Sequence, residues 1–426
     1  MGLMLLFGLF ALGLFMGAPV AFALAFASVV TFAFEGLPLQ IAFQRFSSGV
    51  SVFSLLAIPF FIFAGELMLQ GGIATRLVRL AAAAVGSIRG GLGTVNVTAS
   101  MFFGGISGSA VADTSALGSI LIPVMKEKGY DADYAVNVTV TSSIAGIVIP
   151  PSHNMILYTV AAGGGISISS LFIAGIVPGV LMCLFLAVAA YAVAVKRNYP
   201  AEDFPGWQAL LIAFLVSIPG LLTAVIIVGG TLSGIMTVTE SGAFGAIYAV
   251  IVTAFVYREL TWEGFKRAVL NAVTTTSMVM ILVAAANAFA FLLTIYRVPE
   301  QLTMLLQFVS DNPIVILLML NLILLMLGMI MDMAALILIT TPIFLPVATQ
   351  LGMDPVQFGI MLMMNLGLGL CTPPVGSCLF VGCVIGGIGI EKAVRTMWPF
   401  YLAILVALLL VTYVPAISMT LPNMLT

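Results

Sequence analysis

Two short runs concentrate the polar chemistry of this chain, and both sit where an apolar helix must come apart. The first reads Ser142-Ser143-Ile144-Ala145-Gly146-Ile147-Val148-Ile149-Pro150-Pro151-Ser152-His153-Asn154, and the second Asn365-Leu366-Gly367-Leu368-Gly369-Leu370-Cys371-Thr372-Pro373-Pro374-Val375-Gly376-Ser377. Consecutive prolines remove backbone donors and block the i→i−4 ladder, so carbonyls just upstream lose their partners. Freed carbonyls beside Ser and Thr hydroxyls make an oxygen cluster that suits a hard cation with few charged ligands, typically Na⁺. The half-helix that begins after each Pro pair points its positive end back at the break, where an anionic group can be held. A single Pro pair also serves as a plain packing kink, and the argument for a site rests on there being two.

The two runs belong to a duplication. At a constant offset of 223 positions, Gly105 falls on Gly328, Gly146 on Gly369, Pro150-Pro151 on Pro373-Pro374, and Gly163-Gly164 on Gly386-Gly387. Apolar composition matches leucines by accident but does not keep Gly and Pro landmarks in register. An internal repeat interrupted at matching points is the signature of a secondary transporter.

Composition places the repeats in a membrane. Hydrophobic residues make up 62% of the 426 residues, charged residues 7%, and the mean hydropathy is +1.24. Soluble domains carry about 25% charged residues, so this surface faces lipid. The net charge of −2 says nothing about nucleic acid, and no basic tract suggests such a partner. No phosphate-binding loop, nucleophile with a base, or metal-ligand spacing is present. Transport would then run on an ion gradient or on a separate protein, with no cofactor. Cys183, Cys371, Cys378 and Cys383 lie in apolar stretches and read as small buried hydrophobes. The first residues have no positive n-region, and Gly17-Ala18-Pro19 divides the apolar stretch to Phe34 into two short spans.

Further spans are predicted at 52–70, 131–163, 168–195, 207–230, 239–257, 274–296, 354–386 and 393–416. Segments 91–126 and 313–350 are apolar but interrupted, and their halves are too short for full crossings; they read as re-entrant helical hairpins. With the N-terminus outside and ten spans, all of the 14 Lys and Arg residues except Arg45 and Arg297 fall on the cytoplasmic side. Five spans separate the starts of the repeats, so the repeats are inverted and the hairpins open to opposite sides. Stretches 73–90 and 259–273 alternate basic and apolar residues and read as interfacial amphipathic helices.

Several polar residues have no mate in the other repeat. Asp113 falls on Leu336, Asp332 on Ser109, and His153 on Gly376. Charged groups at membrane depth rarely face lipid. Asp113 and Asp332 are open to several readings: ion ligand, substrate contact, proton acceptor, or ordinary helix cap. His153 reads as structural or substrate-adjacent, Glu66 as structurally paired, and Glu240 as an N-terminal helix acid. A channel would need a continuous polar stripe, and a membrane enzyme would need catalytic clusters; neither is evident.

Taken together, Gly104-Gly105-Ile106-Ser107-Gly108-Ser109-Ala110-Val111-Ala112-Asp113, Ile149-Pro150-Pro151-Ser152, Thr237-Val238-Thr239-Glu240 and Thr372-Pro373-Pro374-Val375-Gly376 give the chain a resemblance to a known family. It resembles, over nearly its whole length, the large membrane (M-type) subunit of tripartite ATP-independent periplasmic (TRAP) transporters, in the ion transporter superfamily. The resemblance implies an all-α polytopic fold of inverted repeats, with two re-entrant hairpins and two broken helices, working as a Na⁺-driven elevator. It implies one Na⁺ near Gly105, Ser107, Gly146, Ile149 and Ser152, and a second near Gly328, Gly369, Thr372 and Val375. Pro150, Pro151, Pro373 and Pro374 make the breaks. Substrate contacts are expected between the tips, from Asp113, Thr114, Ser115, Asn154 and Ser377. Implied partners are a small four-helix (Q-type) membrane subunit and a periplasmic substrate-binding protein that delivers an organic acid. The implied setting is the bacterial inner membrane, with both termini periplasmic. On this reading 91–165 and 313–390 carry the transport domain, and 1–90, 166–312 and 391–426 supply scaffold spans, linker and arms. A self-sufficient dicarboxylate/sodium symporter of the same superfamily is the alternative.

Overall fold

In lipid every backbone polar group must be satisfied within the chain, and the helix is the local way to do it. The computed structural model describes residues 1–425; helices carry most of them, and no strand occurs among them. Six helices are long and apolar enough to cross a membrane: Phe53–Gln70, Ile168–Lys196, Trp207–Leu232, Val238–Val256, Trp262–Ile295 and Met333–Gln350. Near the N-terminus the chain divides at the expected break, into Gly2–Phe15 and Val20–Phe34. These helices pack against each other. Each is about 21–23 Å long at 1.5 Å per residue, shorter than a hydrocarbon core of about 30 Å.

Both hairpins form. The first has arms Gly91–Ser107 and Ala110–Glu127, and the second Pro313–Gly328 and Met333–Gln350, with each pair of arms in contact. Gly108 makes the first tip possible: its φ of 65° is left-handed, a conformation glycine adopts without strain. Behind each hairpin lies a broken helix. Ala132–Ser142 and the short Ala145–Val148 precede His153–Ala161, with a 53° bend at the Pro pair. Pro355–Leu370 precedes Ser377–Gly386. Both Pro-Pro peptide bonds are cis.

The helices sort into two bundles. One contains the hairpins, the broken helices, Ile168–Lys196 and Trp398–Tyr413. The other contains the two N-terminal helices, Leu39–Val50, Ala57–Gln70, Trp207–Leu232, Val238–Ile251 and Trp262–Ile295. Within the second bundle the repeats exchange partners: Ala57–Gln70 packs on Val238–Ile251, and Trp262–Ile295 packs on Val20–Phe34. Within the first, His153–Ala161 packs on the second hairpin and Ser377–Gly386 on the first. Neither repeat completes its own bundle.

Packing adds what hydropathy does not carry. Helices Ile168–Lys196 and Trp398–Tyr413, read as scaffold spans, pack within the hairpin bundle and against each other. Hydropathy reports that a helix is apolar, not which neighbour it meets. Stretch 259–273 is not a separate interfacial helix. Most of it is the start of the 34-residue helix Trp262–Ile295, because no Gly or Pro after Gly264 stops it. At about 51 Å that helix exceeds the hydrocarbon core, so its charged first turns leave the apolar layer. The counterpart of the arm Ile73–Val85 is instead Val298–Val309, which follows Arg297 in a left-handed conformation. The two arms connect the bundles: the first touches both Trp207–Leu232 and Gly91–Ser107, and the second packs on Met333–Gln350.

The third connection between bundles, the 197–206 linker, is held down at its start. Arg197 donates to Asp133 through both Nη atoms, at 3.0 and 2.9 Å, and to Asp131 Oδ2 at 3.0 Å. Burial lifts the Tyr199 phenol to about 12, so it stays protonated and donates to Asp131 Oδ2 at 2.7 Å. Lys128 pairs with Glu202, Arg89 donates to Asn198, and Gly90 N–H donates to Pro200 O. The Asp133 side chain is only 8% exposed, so losing its fork-shaped partner leaves a nearly buried charge unpaired. Arg197→Ala is expected to cost about 1–3 kcal/mol, read as a lower thermal midpoint in detergent. Arg197→Lys should fall between, since Lys lacks the bidentate geometry. A midpoint unchanged in both variants would mean that the clamp contributes nothing to stability.

Candidate functional site

Polar seams in each repeat fix the hairpin to its broken helix. In the first, Asn96 Nδ2 donates to Thr139 Oγ1 at 2.6 Å, and Ser100 and Ser142 hydroxyls share a 2.8 Å bond. In the second, Asn365 Nδ2 donates to both O and Oδ1 of Asn321 at 2.9 Å. Ser142 and Asn365 are equivalent at the 223-residue offset. The seams are buried, and in apolar surroundings buried polar side chains must find each other.

Above the seams backbone meets backbone. A Cβ added to Gly104 would lie 2.7 Å from Gly146 N, and one added to Gly369 would lie 2.5 Å from Gly328 C. These contacts exist only because glycine has no side chain. Next to the first contact, Gly105 faces the Pro150 carbonyl and Gly108 faces that of Pro151. Asn154 Nδ2 donates to Gly108 O at 3.4 Å. At the second, Val375 N–H donates to Met329 O at 3.1 Å, and Thr372 Oγ1 donates to Leu368 O at 2.7 Å. The last turn before the second Pro pair tightens to i→i−3 bonds, from Cys371 to Leu368 and from Thr372 to Gly369. Ser152 Oγ and Ser377 Oγ are buried without a hydrogen-bond partner. Each tip thus meets its break in a nest of carbonyl and hydroxyl oxygens, a donor set for a hard monovalent cation.

Between the tips and the second bundle lies a cavity of about 510 Å³. Its polar lining includes Ser109 and Ser115 from the first hairpin, His153 and Asn154 from the half-helix start, Asp332 from the second tip, and Glu66 from Ala57–Gln70. No Lys or Arg lines it. Glu66 Oε2 accepts from Asn271 Nδ2 at 3.0 Å, and Asp332 Oδ2 accepts from Ala334 N–H at 3.1 Å.

The sequence-expected residues separate here. Gly105, Ser107, Gly146, Ile149 and Ser152 gather at the first tip and break; Gly328, Gly369, Thr372 and Val375 gather at the second. Ser115 and Asn154 line the cavity. Asp113 and Thr114 do not. Both are fully buried: Thr114 Oγ1 donates to Ser143 Oγ at 2.8 Å, and Asp113 accepts from Ser107 Oγ. Ser377 lies beside the second break, outside the cavity lining. Glu66, Ser109 and Thr275 on the cavity wall were not proposed as substrate contacts. Glu66 carried a usable signal, an ionisable group in the middle of a span.

Residues 7–417 match the family described as the tripartite ATP-independent periplasmic transporter, DctM component. The chain belongs to the TRAP large-permease family. It is 36% identical over 439 residues to the C4-dicarboxylate TRAP transporter large permease DctM of Rhodobacter capsulatus, covering all of both chains. It is 38% identical to the isethionate TRAP transporter permease DctMQ of Oleidesulfovibrio alaskensis, over 97% of this chain and 65% of that one. Among solved structures, the YdaH transporter of Alcanivorax borkumensis shares the fold: TM-score 0.65 at 14% identity, over 87% of this chain and 86% of that one. This TRAP permease is therefore a polytopic component of a secondary transporter rather than an enzyme.

The glycine contacts generate a direct test. In Gly369→Ala the new methyl meets backbone atoms of Gly328, which cannot rotate away. Overpacking of this kind costs about 1–3 kcal/mol and sometimes more. Gly8→Ala, in a helix position with nothing within 4 Å, is expected to be neutral or slightly stabilising. Thermal midpoints of the two variants in the same detergent decide the matter; equal midpoints would mean the close approach at Gly369 is absent.

Proposed function

We propose that this permease takes up a small organic anion across the bacterial inner membrane, driven by Na⁺, with the hairpin bundle moving as an elevator against the other bundle. The observation that carries the reading is one cavity at the seam between the bundles, lined by Ser107 and Ser109 of the first hairpin tip and by Asp332 and Met333 of the second, with a glycine-packed tip-and-break contact in each repeat. The donor sets fit Na⁺: Ser107, Ser152 and backbone around Gly105, Gly146 and Ile149 for one ion, and Thr372 with backbone around Gly328, Gly369 and Val375 for the other. Buried Ser152 Oγ, without a partner, supports this fit. Bound Na⁺ supplies positive charge that holds each tip against its break.

The substrate would occupy the cavity. Donors from Ser109, Ser115, His153 and Asn154, with the positive end of His153–Ala161, serve its anionic group. Glu66 and Asp332 serve as acceptors for hydroxyl or amine groups. Relatives that carry C4-dicarboxylate and isethionate share only a small organic anion as cargo, which sets the substrate class.

The family name implies a three-component assembly, and the DctMQ relative extends well beyond the length of this chain. A small four-helix membrane subunit would enlarge the bundle that stays still, and a periplasmic binding protein would deliver substrate. The Lys and Arg distribution supports a topology with both termini in the periplasm.

Proteoliposomes holding the permease, its small membrane subunit and the loaded binding protein test the reading. Uptake is expected to require an inward Na⁺ gradient and to stop when K⁺ replaces Na⁺. Ser107→Ala and Thr372→Ala should each raise the Na⁺ concentration for half-maximal uptake about tenfold, the equivalent of 1.4 kcal/mol. Uptake by the permease alone would favour a self-sufficient symporter, and uptake indifferent to Na⁺ would overturn the proposal.

A further inference from the structure

We propose that Asp113 is the anionic ligand of the first cation site, so that one of the two sites is charged and the other is neutral. The inference rests on the sodium reading above and adds to it a residue that the sequence had placed with the substrate. Asp113 has no exposed surface. One carboxylate oxygen accepts from Ser107 Oγ, and the other, Oδ2, is buried with no partner. Asp113 takes part in none of the ion pairs among the described residues. An isolated carboxylate in an apolar interior stands only with a compensating positive charge or a bound proton, and Asp113→Asn tells the two apart because it keeps the shape and removes the charge.

The geometry shows where that charge belongs. A Cβ added to Gly146 would overlap Asp113 Oδ2 and lie 3.4 Å from Ser107 Oγ. The unpartnered oxygen therefore packs against the backbone of Gly146, in the place a side chain there would take, at the break where Gly104 and Gly105 of the tip come closest. Ser107 is oriented by the same contact. Its hydroxyl proton is committed to Asp113 and one lone pair accepts from Ser109 N–H at 3.3 Å, which leaves a second lone pair for an ion. Carbonyl oxygens and hydroxyls surround this point, and no other charge has been assigned to it.

The second repeat lacks the feature. Leu336, 1% exposed, stands at the position equivalent to Asp113. The nearby carboxylate, Asp332, caps the helix behind the tip and lines the substrate cavity. A full negative charge in low dielectric adds far more cation affinity than one more neutral oxygen. The first site should therefore fill at lower Na⁺ than the second and keep its ion longer. The second, neutral site is the better candidate for the ion released with substrate.

Hydrogen exchange on the full chain in nanodiscs, titrated with NaCl against choline chloride at constant ionic strength, reads the two sites separately. In the wild type, protection around residues 104–109 and 145–152 should appear at lower Na⁺ than protection around 328–332 and 369–376. Asp113→Asn, nearly isosteric, should raise the midpoint of the first region at least tenfold and leave the second unchanged, which also shows that the variant is folded. Thr372→Ala should do the reverse. If Asp113→Asn leaves the first midpoint where it was while Thr372→Ala moves the second, Asp113 is not a ligand and the inference fails. If the wild type gains no protection from Na⁺ in either region, the sodium reading itself fails and takes this inference with it.

Discussion

The structure depends on glycine backbone lying against glycine backbone at depth in the membrane. A helix broken inside lipid exposes donors and acceptors that lipid cannot satisfy, so a break survives only where protein covers it. Here each break is covered by a hairpin tip, through Gly104 on Gly146 in one repeat and Gly328 on Gly369 in the other. Any side chain at these points would hold the tip off the break and leave its carbonyls bare. The polar seams from Asn96 to Thr139 and from Asn321 to Asn365 bring the tips to that height.

The exchange of elements between repeats follows from the same need. The half-helix after each break must bury its side facing away from its own tip, and it does so on the other repeat's hairpin. The two sites are thereby built into one bundle, and a movement of that bundle would carry both at once. The second bundle is sealed in a similar way, by exchanged pairs and by contacts such as Arg45 over the Phe291 ring and Arg76 over Tyr257. Besides two arms and a linker pinned at its first residues, the bundles meet directly where Ala57–Gln70 packs on Gly91–Ser107 and Trp262–Ile295 on Met333–Gln350. The cavity lies where the two bodies meet, and there a relative displacement has its largest effect on access.

Much of this was legible from residue types whose physics is local. Pro-Pro ends a hydrogen-bond ladder in any surroundings, and Gly108-Ser109 turns a hairpin wherever it occurs; the breaks and tips lie where those residues put them. Long-range partnership was not legible. Ile168–Lys196 is apolar on every side, and nothing in its composition tells packing on hairpins from packing on scaffold. Stretch 259–273 looked like a surface helix because its charges are real, but charge does not end a helix when no Gly or Pro follows. Asp113 is the most instructive case. The resemblance put it among the expected substrate contacts, yet the turn of the helix directs it inward to Ser107 and Gly146. Predicting that requires the facing helix as well as its own.

The departures from symmetry carry as much meaning as the symmetry. Shared landmarks are glycines and prolines, which shape backbone, while Asp113, His153 and Asp332 are unshared and polar. Duplication thus supplied two equivalent oxygen nests, and later divergence made them unequal. An inverted pair of identical sites would bind ion and substrate alike from either side and give the cycle no order. A carboxylate in the first nest, an imidazole at the start of the first half-helix and a carboxylate at the second tip break that equivalence. The common scaffold shapes the two breaks, and the few unmatched side chains are where the proposed order of binding would arise.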